Sequence, residues 1–196
     1  CRWRAAGKRA FNENQIHIFT EDYLFEKMSQ LIGNTIGEDL QSRSLQIHEK
    51  FSVLQNLISF DMLDIPESLQ IPSIFSLLQS EILKISQVNG PKNKLIIISM
   101  CIENLISFFE ASLESKPTCD DLFPLITYLI LLSNPPQFLL QVDFINKFLP
   151  KDLLKGEYGY MLASVQAAIK FLDNLDGNSL NQGFLKINER KKEERI

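Results

Sequence analysis

Few residues in this 196-residue chain have types and spacings that support chemistry. Asp120 and Asp121 stand side by side ahead of an apolar run, and Glu157 and Tyr160 lie in GEYGY ahead of a second one. Three carboxylates, Asp120, Asp121 and Glu157, raise the option of metal-dependent hydrolysis, but nothing completes a ligand set. His17 and His48 have no ligand spacing to each other, and Cys1, Cys101 and Cys119 form no CxxC pair, so no metal and no cofactor is expected. Cys101 sits in an apolar run with no basic neighbour to lower its pKa, and reads as a small core residue rather than a nucleophile. His48 reads as a surface residue. The sequence contains no GKS or GKT phosphate loop and no GxGxxG, HExxH or GxSxG. A chain with acids and a phenol at helix starts, and no other catalytic pattern, is expected to recognise a macromolecule rather than transform a small substrate.

Charge narrows the partner. Residues 11–185 carry 11 Lys and Arg against 21 Asp and Glu, and the basic excess sits in CRWRAAGKR and KINERKKEERI at the two ends. An acidic body disfavours a phosphate-backbone partner, whose affinity comes from displacing counterions with Lys and Arg, so no nucleic acid is expected. The basic ends read as solvated. An odd number of cysteines without framework spacing fits a reducing compartment. The longest apolar run, residues 122–132, is interrupted by Pro124 and Thr127 and falls short of the ~18 residues of a spanning helix, so none is expected. The start lacks both an initiator Met and the apolar core of a signal peptide, and the chain is expected to be a piece of something longer.

The elements that must position these groups are helices. Apolar residues recur at helical spacing almost throughout, and period-two runs bounded by hairpin turns are missing, which predicts an all-α bundle of about six to seven helices. A first helix over residues 20–33 is capped by Thr20 and carries Tyr23, Leu24, Met28, Leu31 and Ile32 along one side. A second over 40–58 buries Leu45, Ile47, Phe51, Leu54, Leu57 and Ile58. The two prolines of FDMLDIPESLQIP make a connector whose Met62, Leu63 and Ile65 plug into the core, and Pro72 opens a helix over 72–88. The helix over 92–115 has too many apolar residues for one exposed face and should be largely enclosed. DLFPLITYLILLS is apolar around most of its circumference, as a central helix would be, with Pro124 tolerated in its first turn. Shorter and longer helices follow over 137–148 and 156–175. The division expected is 1–38 as an extension, 39–177 as the helical domain and 178–196 as a charged tail.

DDLFPLITYLILLSNPP followed by GEYGYMLASVQAAIKFL resembles the vacuolar protein sorting nine (VPS nine) domain, the nucleotide-exchange module for small GTPases of the Rab-five subfamily. That family has an acidic pair, a Pro three residues beyond it, an Asn-Pro-Pro stop and a GE-x-x-Y motif in this order, and here they are Asp120-Asp121, Pro124, Asn134-Pro135-Pro136 and Gly156 to Tyr160. LQNLISFDMLDIP also looks like the family's opening helix and connector, so the resemblance runs over about residues 45–175.

The resemblance implies a right-handed layered helical domain that presents a groove to the switch segments of a GTPase. It implies that Asp120 is an acidic finger that enters the nucleotide site, competes for the phosphate-loop lysine and disfavours magnesium and phosphate there. Tyr160 matches the family's functional tyrosine. Asp121, Pro124, Asn134, Pro135, Glu157, Ala163 and Ser164 are expected to contact the GTPase on the same grounds. The implied setting is cytoplasmic, on early endosomes, with membrane reached only by recruitment, and exchange needs no covalent chemistry. Asp121 is read as the partner of the first-turn dipole, and Tyr160, Ser164 and Ala167 share one helix face with Ala163 beside it. Ala163 replaces the family's hydroxyl residue, Phe144 replaces a frequent tyrosine, and the loop before Gly156 is one residue short. These departures keep a rival open, a helical adaptor that binds a GTPase or another partner without accelerating nucleotide release.

Overall fold

A computed structural model describes Thr20, Tyr23, Leu24 and residues 38–178. Among these the chain is all helical, with α1 (Glu38–Leu54), α2 (Pro72–Ile82), α3 (Pro91–Leu113), α4 (Cys119–Ser133), α5 (Phe138–Phe148) and α6 (Glu157–Asn174). Short 3-10 turns occupy Phe60–Leu63, Glu67–Leu69 and Leu83–Ser86. Thr20, Tyr23 and Leu24 are helical and exposed; the remainder of the predicted first helix, the basic start and the tail from residue 179 lie outside the described residues.

The middle of the bundle is shared by α3 and α4. α4 packs most extensively on α6 and also meets α2 and α3, while α3 meets α2, α4, α5 and α6. Leu122, Leu125, Ile126, Leu129, Ile130 and Leu131 of α4 are buried on several sides, as the apolar circumference predicts. The connector between α1 and α2 closes one flank: Ile65 and Leu69 are buried, Met62 and Leu63 pack against the core, and Phe60 stacks on Tyr128 of α4 at 4.1 Å between centroids. Phe75 of α2 meets the same Tyr128 edge-on at 5.0 Å, which locks three segments through one aromatic cluster. Phe144 sits apart, tilted against Phe148 at 5.0 Å between centroids.

Several expectations need correction. In α1 the helix ends at Leu54, so Leu57 falls out of phase and is exposed, Leu45 is 52% exposed, and Ser44 takes the buried position. His48 is not a surface residue but is half-buried, facing the Asn-Pro-Pro turn. α3 is only partly enclosed, since Ile96 and Met100, four apart, lie on its exposed face. α3 rather than residues 122–132 is the helix long and apolar enough to cross a membrane by length and composition. Its packing against four other helices makes it a core helix, which passes the same test. Near its start Lys94 is buried, with Nζ donating to the carbonyls of Ile85 at 2.8 Å and Val88 at 2.6 Å, and this ties down the turn that enters the helix. Burial lowers its pKa to about 8.

Candidate functional site

Thr118 caps α4 in an extended conformation, and the cap is reciprocal. The Asp121 N–H donates to Thr118 Oγ1 at 3.4 Å, while the Thr118 N–H and hydroxyl both donate to Asp121 Oδ2, at 2.8 and 2.6 Å. The Thr118 side-chain bond, then its backbone bond, holds the Asp121 carboxyl below the usual carboxylate range. Asp121 therefore belongs to the cap. Asp120 takes no part in it, is exposed, and is engaged by no ion pair among the described residues. Its carboxylate stands in the first turn, where unbonded amides and the helix dipole favour negative charge.

Because the cap lies at Thr118, Pro124 is the sixth residue of α4 and not part of its first turn. Its missing N–H cannot bond the carbonyl of Asp120, and its ring crowds that carbonyl. Pro124 thus marks a break in the ladder directly behind the Asp120 turn.

The other wall is α6. Gly156 precedes it with φ 73, in the left-handed region open to glycine. Gly159 does not interrupt the helix; a Cβ there would stand 1.9 Å from the Leu154 carbonyl oxygen, so only glycine lets the preceding loop pass this close. Tyr160 follows and is 42% exposed. The Cys119 side chain, then desolvation, raises its pKa against a smaller opposing effect from the Ser164 hydroxyl, while the Cys119 and Asp120 charges raise it further. Tyr160 is thereby kept as a neutral phenol that can donate a hydrogen bond.

Between these walls runs a groove of about 310 Å³. Cys119, Asp120, Phe123 and Ile126 line it from α4, and Tyr160, Ala163, Ser164 and Ala167 from α6. Phe123 meets Phe171 edge-on at 5.9 Å and continues the apolar floor along α6. The Ser164 hydroxyl donates back to the Tyr160 carbonyl at 3.0 Å, so the floor near Ala163 offers an acceptor oxygen but no free hydroxyl proton. Charge and phenol sit at one end of the groove, with alanine and aromatic surface beyond.

Of the residues expected to form the site, the groove unites Asp120, Tyr160, Ala163 and Ser164. Asp121 is in the cap, Pro124 lies outside the lining, and Glu157 is exposed at the start of α6, one turn before Tyr160. Asn134 and Pro135 sit at the opposite end of α4, about 21 Å of helix away. Asn134 is 8% exposed, caps the helix with φ 39, and donates from Nδ2 to the His48 carbonyl and Ser52 Oγ, each at 3.0 Å. Cys119, Phe123, Ile126 and Phe171 were not assigned to the site from sequence. Their signal is there in the positions 119, 123 and 126 at helical spacing, but the same spacing describes any buried stripe. Among the described residues no group of three His, Cys, Asp or Glu side chains could hold a metal ion.

Residues 75–177 match the family model described as the Vacuolar sorting protein 9 (VPS9) domain. The chain belongs to this family. The matched VPS9 region takes in α3 to α6, and thus both walls of the groove. The chain is 30% identical over 167 residues to Vacuolar protein sorting-associated protein 9A of Oryza sativa subsp. japonica, covering 82% of this chain and 34% of that protein. It is 31% identical over 165 residues to the protein of the same name from Arabidopsis thaliana, covering 82% and 32%. It is 25% identical over 165 residues to the Rab5 GDP/GTP exchange factor of Homo sapiens, covering 82% and 33%. The chain thus spans about a third of the length of these relatives.

Proposed function

We propose that this VPS9 chain is a guanine nucleotide exchange module for a small GTPase of the Rab-five subfamily, acting in endosomal trafficking. One observation carries the reading: an uncommitted carboxylate, Asp120, and a neutral phenol, Tyr160, come from different helices to the same end of one open groove. The name of the human relative, an exchange factor for Rab5, supports the same direction.

Exchange breaks no covalent bond. The module binds the nucleotide-free GTPase better than the loaded one, and by linkage nucleotide affinity falls by the same factor. A differential of about 4 kcal/mol weakens nucleotide binding roughly a thousandfold. The GTPase lays a switch segment over the apolar floor, which brings Asp120 to the nucleotide's phosphate site. There the carboxylate attracts the cationic lysine that phosphate would otherwise hold and repels phosphate itself. Tyr160 donates its hydroxyl to the incoming segment. Release of fluorescent GDP from a panel of Rab GTPases tests this. The parent chain is expected to accelerate release from a Rab-five member, and Asp120→Ala to lower that rate on the order of 100-fold, as loss of about 2.7 kcal/mol of charge-assisted contact would. Equal rates for the two proteins would sink the assignment.

Ala163 favours a second reading, in which the chain binds a GTPase without exchanging it. The groove floor offers methyl groups where the family resemblance implies a hydroxyl, and Ser164 next to it already bonds the Tyr160 carbonyl. Binding of GDP-loaded and nucleotide-free GTPase alike, with no faster release, is the outcome that reading requires.

A further inference from the structure

At the far end of α4 from the groove, two buried polar side-chain atoms have no hydrogen-bond partner in the protein: Ser44 Oγ and His48 Nδ1. Both belong to α1, four residues apart on one face. Both residues line one small cavity between α1, the Asn-Pro-Pro turn, α5 and α6. Ser44 is 1% exposed, so bulk water does not reach its hydroxyl. Buried hydroxyls and ring nitrogens left unmet bear their full desolvation penalty, and folded proteins rarely keep two such atoms side by side.

The cavity's volume is about 10 Å³, close to the space of one water molecule and too small for a larger ligand. Two acceptor or donor atoms on neighbouring turns suit a single bridging molecule. Asn134 shares the wall; its Nδ2 is occupied by the His48 carbonyl and Ser52 Oγ, which leaves its Oδ1 as a further acceptor. Ile47, Leu139 and Ile169 also line an open groove of about 300 Å³ rimmed by Arg43, Gln166 and Lys170, so the cavity lies next to a solvent-open surface.

We propose that one water molecule is built into this cavity, bridging Ser44 Oγ and His48 Nδ1. It sits beside the contact by which α1 holds the Asn-Pro-Pro turn, where Asn134 bonds the His48 carbonyl and Ser52 directly, and it ties two neighbouring turns of α1 together. The assignment does not depend on the exchange reading. The direct bonds from Asn134 hold the end of α4 opposite to Asp120.

A crystal structure of the full chain at a resolution that shows water is the test. Nuclear Overhauser transfer from water to the amides of Ser44 and His48 is the solution measurement if crystals fail. The expected results are a peak within about 2.6–3.2 Å of both atoms, and a long-lived water signal at those amides that Ser44→Val, by filling the cavity with a methyl group, abolishes. A dry cavity, a His48 ring turned so that Nδ1 meets a protein group, or no transferred signal in the parent chain would each overturn the proposal.

Discussion

Asp120 and Asp121 differ by one position and have opposite fates. Asp121 is at the third position of α4, where its carboxylate reaches back to the Thr118 N–H and hydroxyl, while Asp120 is turned to the groove. Sequence alone could name the acidic pair and assign Asp121 to the dipole, but it began the helix at Asp121 rather than at Cys119 behind a Thr118 cap. The two bonds to Thr118 decide which acid is free. Thr118→Ala is expected to cost about 1 kcal/mol and lower Tm by about 2–4 °C. Because the folded Asp121 carboxyl is held below its ordinary value, its share of this stability is present above the usual carboxylate range and lost as pH falls through the folded pKa. Thermal melts of both proteins from neutral to acid pH should show the deficit narrowing; a constant deficit would argue against the cap. Cys101 behaves in the opposite sense. Desolvation, then the charge of Glu81, pushes its thiol from 9.0 up to about 12. The folded chain therefore keeps a proton that the unfolded chain releases, so this stability is full below pH 9 and drains away between about 9 and 12. Denaturant titrations of Cys101→Ala are expected to lack that alkaline decline.

At the level of elements, boundaries were the least legible feature. The apolar spacing located all six helices of the described region, yet their ends depend on groups that periodicity does not report: the cap at Thr118, the αL cap at Asn134, and the Lys94 ammonium over the carbonyls of Ile85 and Val88. An apolar stripe also does not say what covers it, which is why Leu45 and Met100 are exposed while Ser44 is buried. Gly159 shows the same limit. It looks like a weak point in a helix, but it is the place where the Leu154 carbonyl passes over α6. Gly159→Ala would force backbone against Cβ beside Tyr160. A loss of about 3 kcal/mol is expected by chemical denaturation, with exchange activity falling alongside. An unchanged denaturation midpoint would contradict the close approach.

Across the whole molecule, one helix links two tasks. α4 runs through the core, is held at Asn134 by α1, and emerges at Thr118 with a free carboxylate beside α6. The order of motifs along the chain already paired Asp120 with Tyr160. The groove's apolar floor is not legible in the sequence, because Phe123 and Ile126 obey the same spacing as core residues and only the tertiary arrangement of α4 against α6 brings them beneath one groove. The proposed exchange by this surface rests on differential binding, so the most direct test compares the affinity of the chain for nucleotide-free and GDP-loaded forms of one Rab-five GTPase. The expected result is a preference on the order of a thousandfold for the nucleotide-free form, largely lost in Asp120→Ala. Equal affinity for the two forms would contradict it.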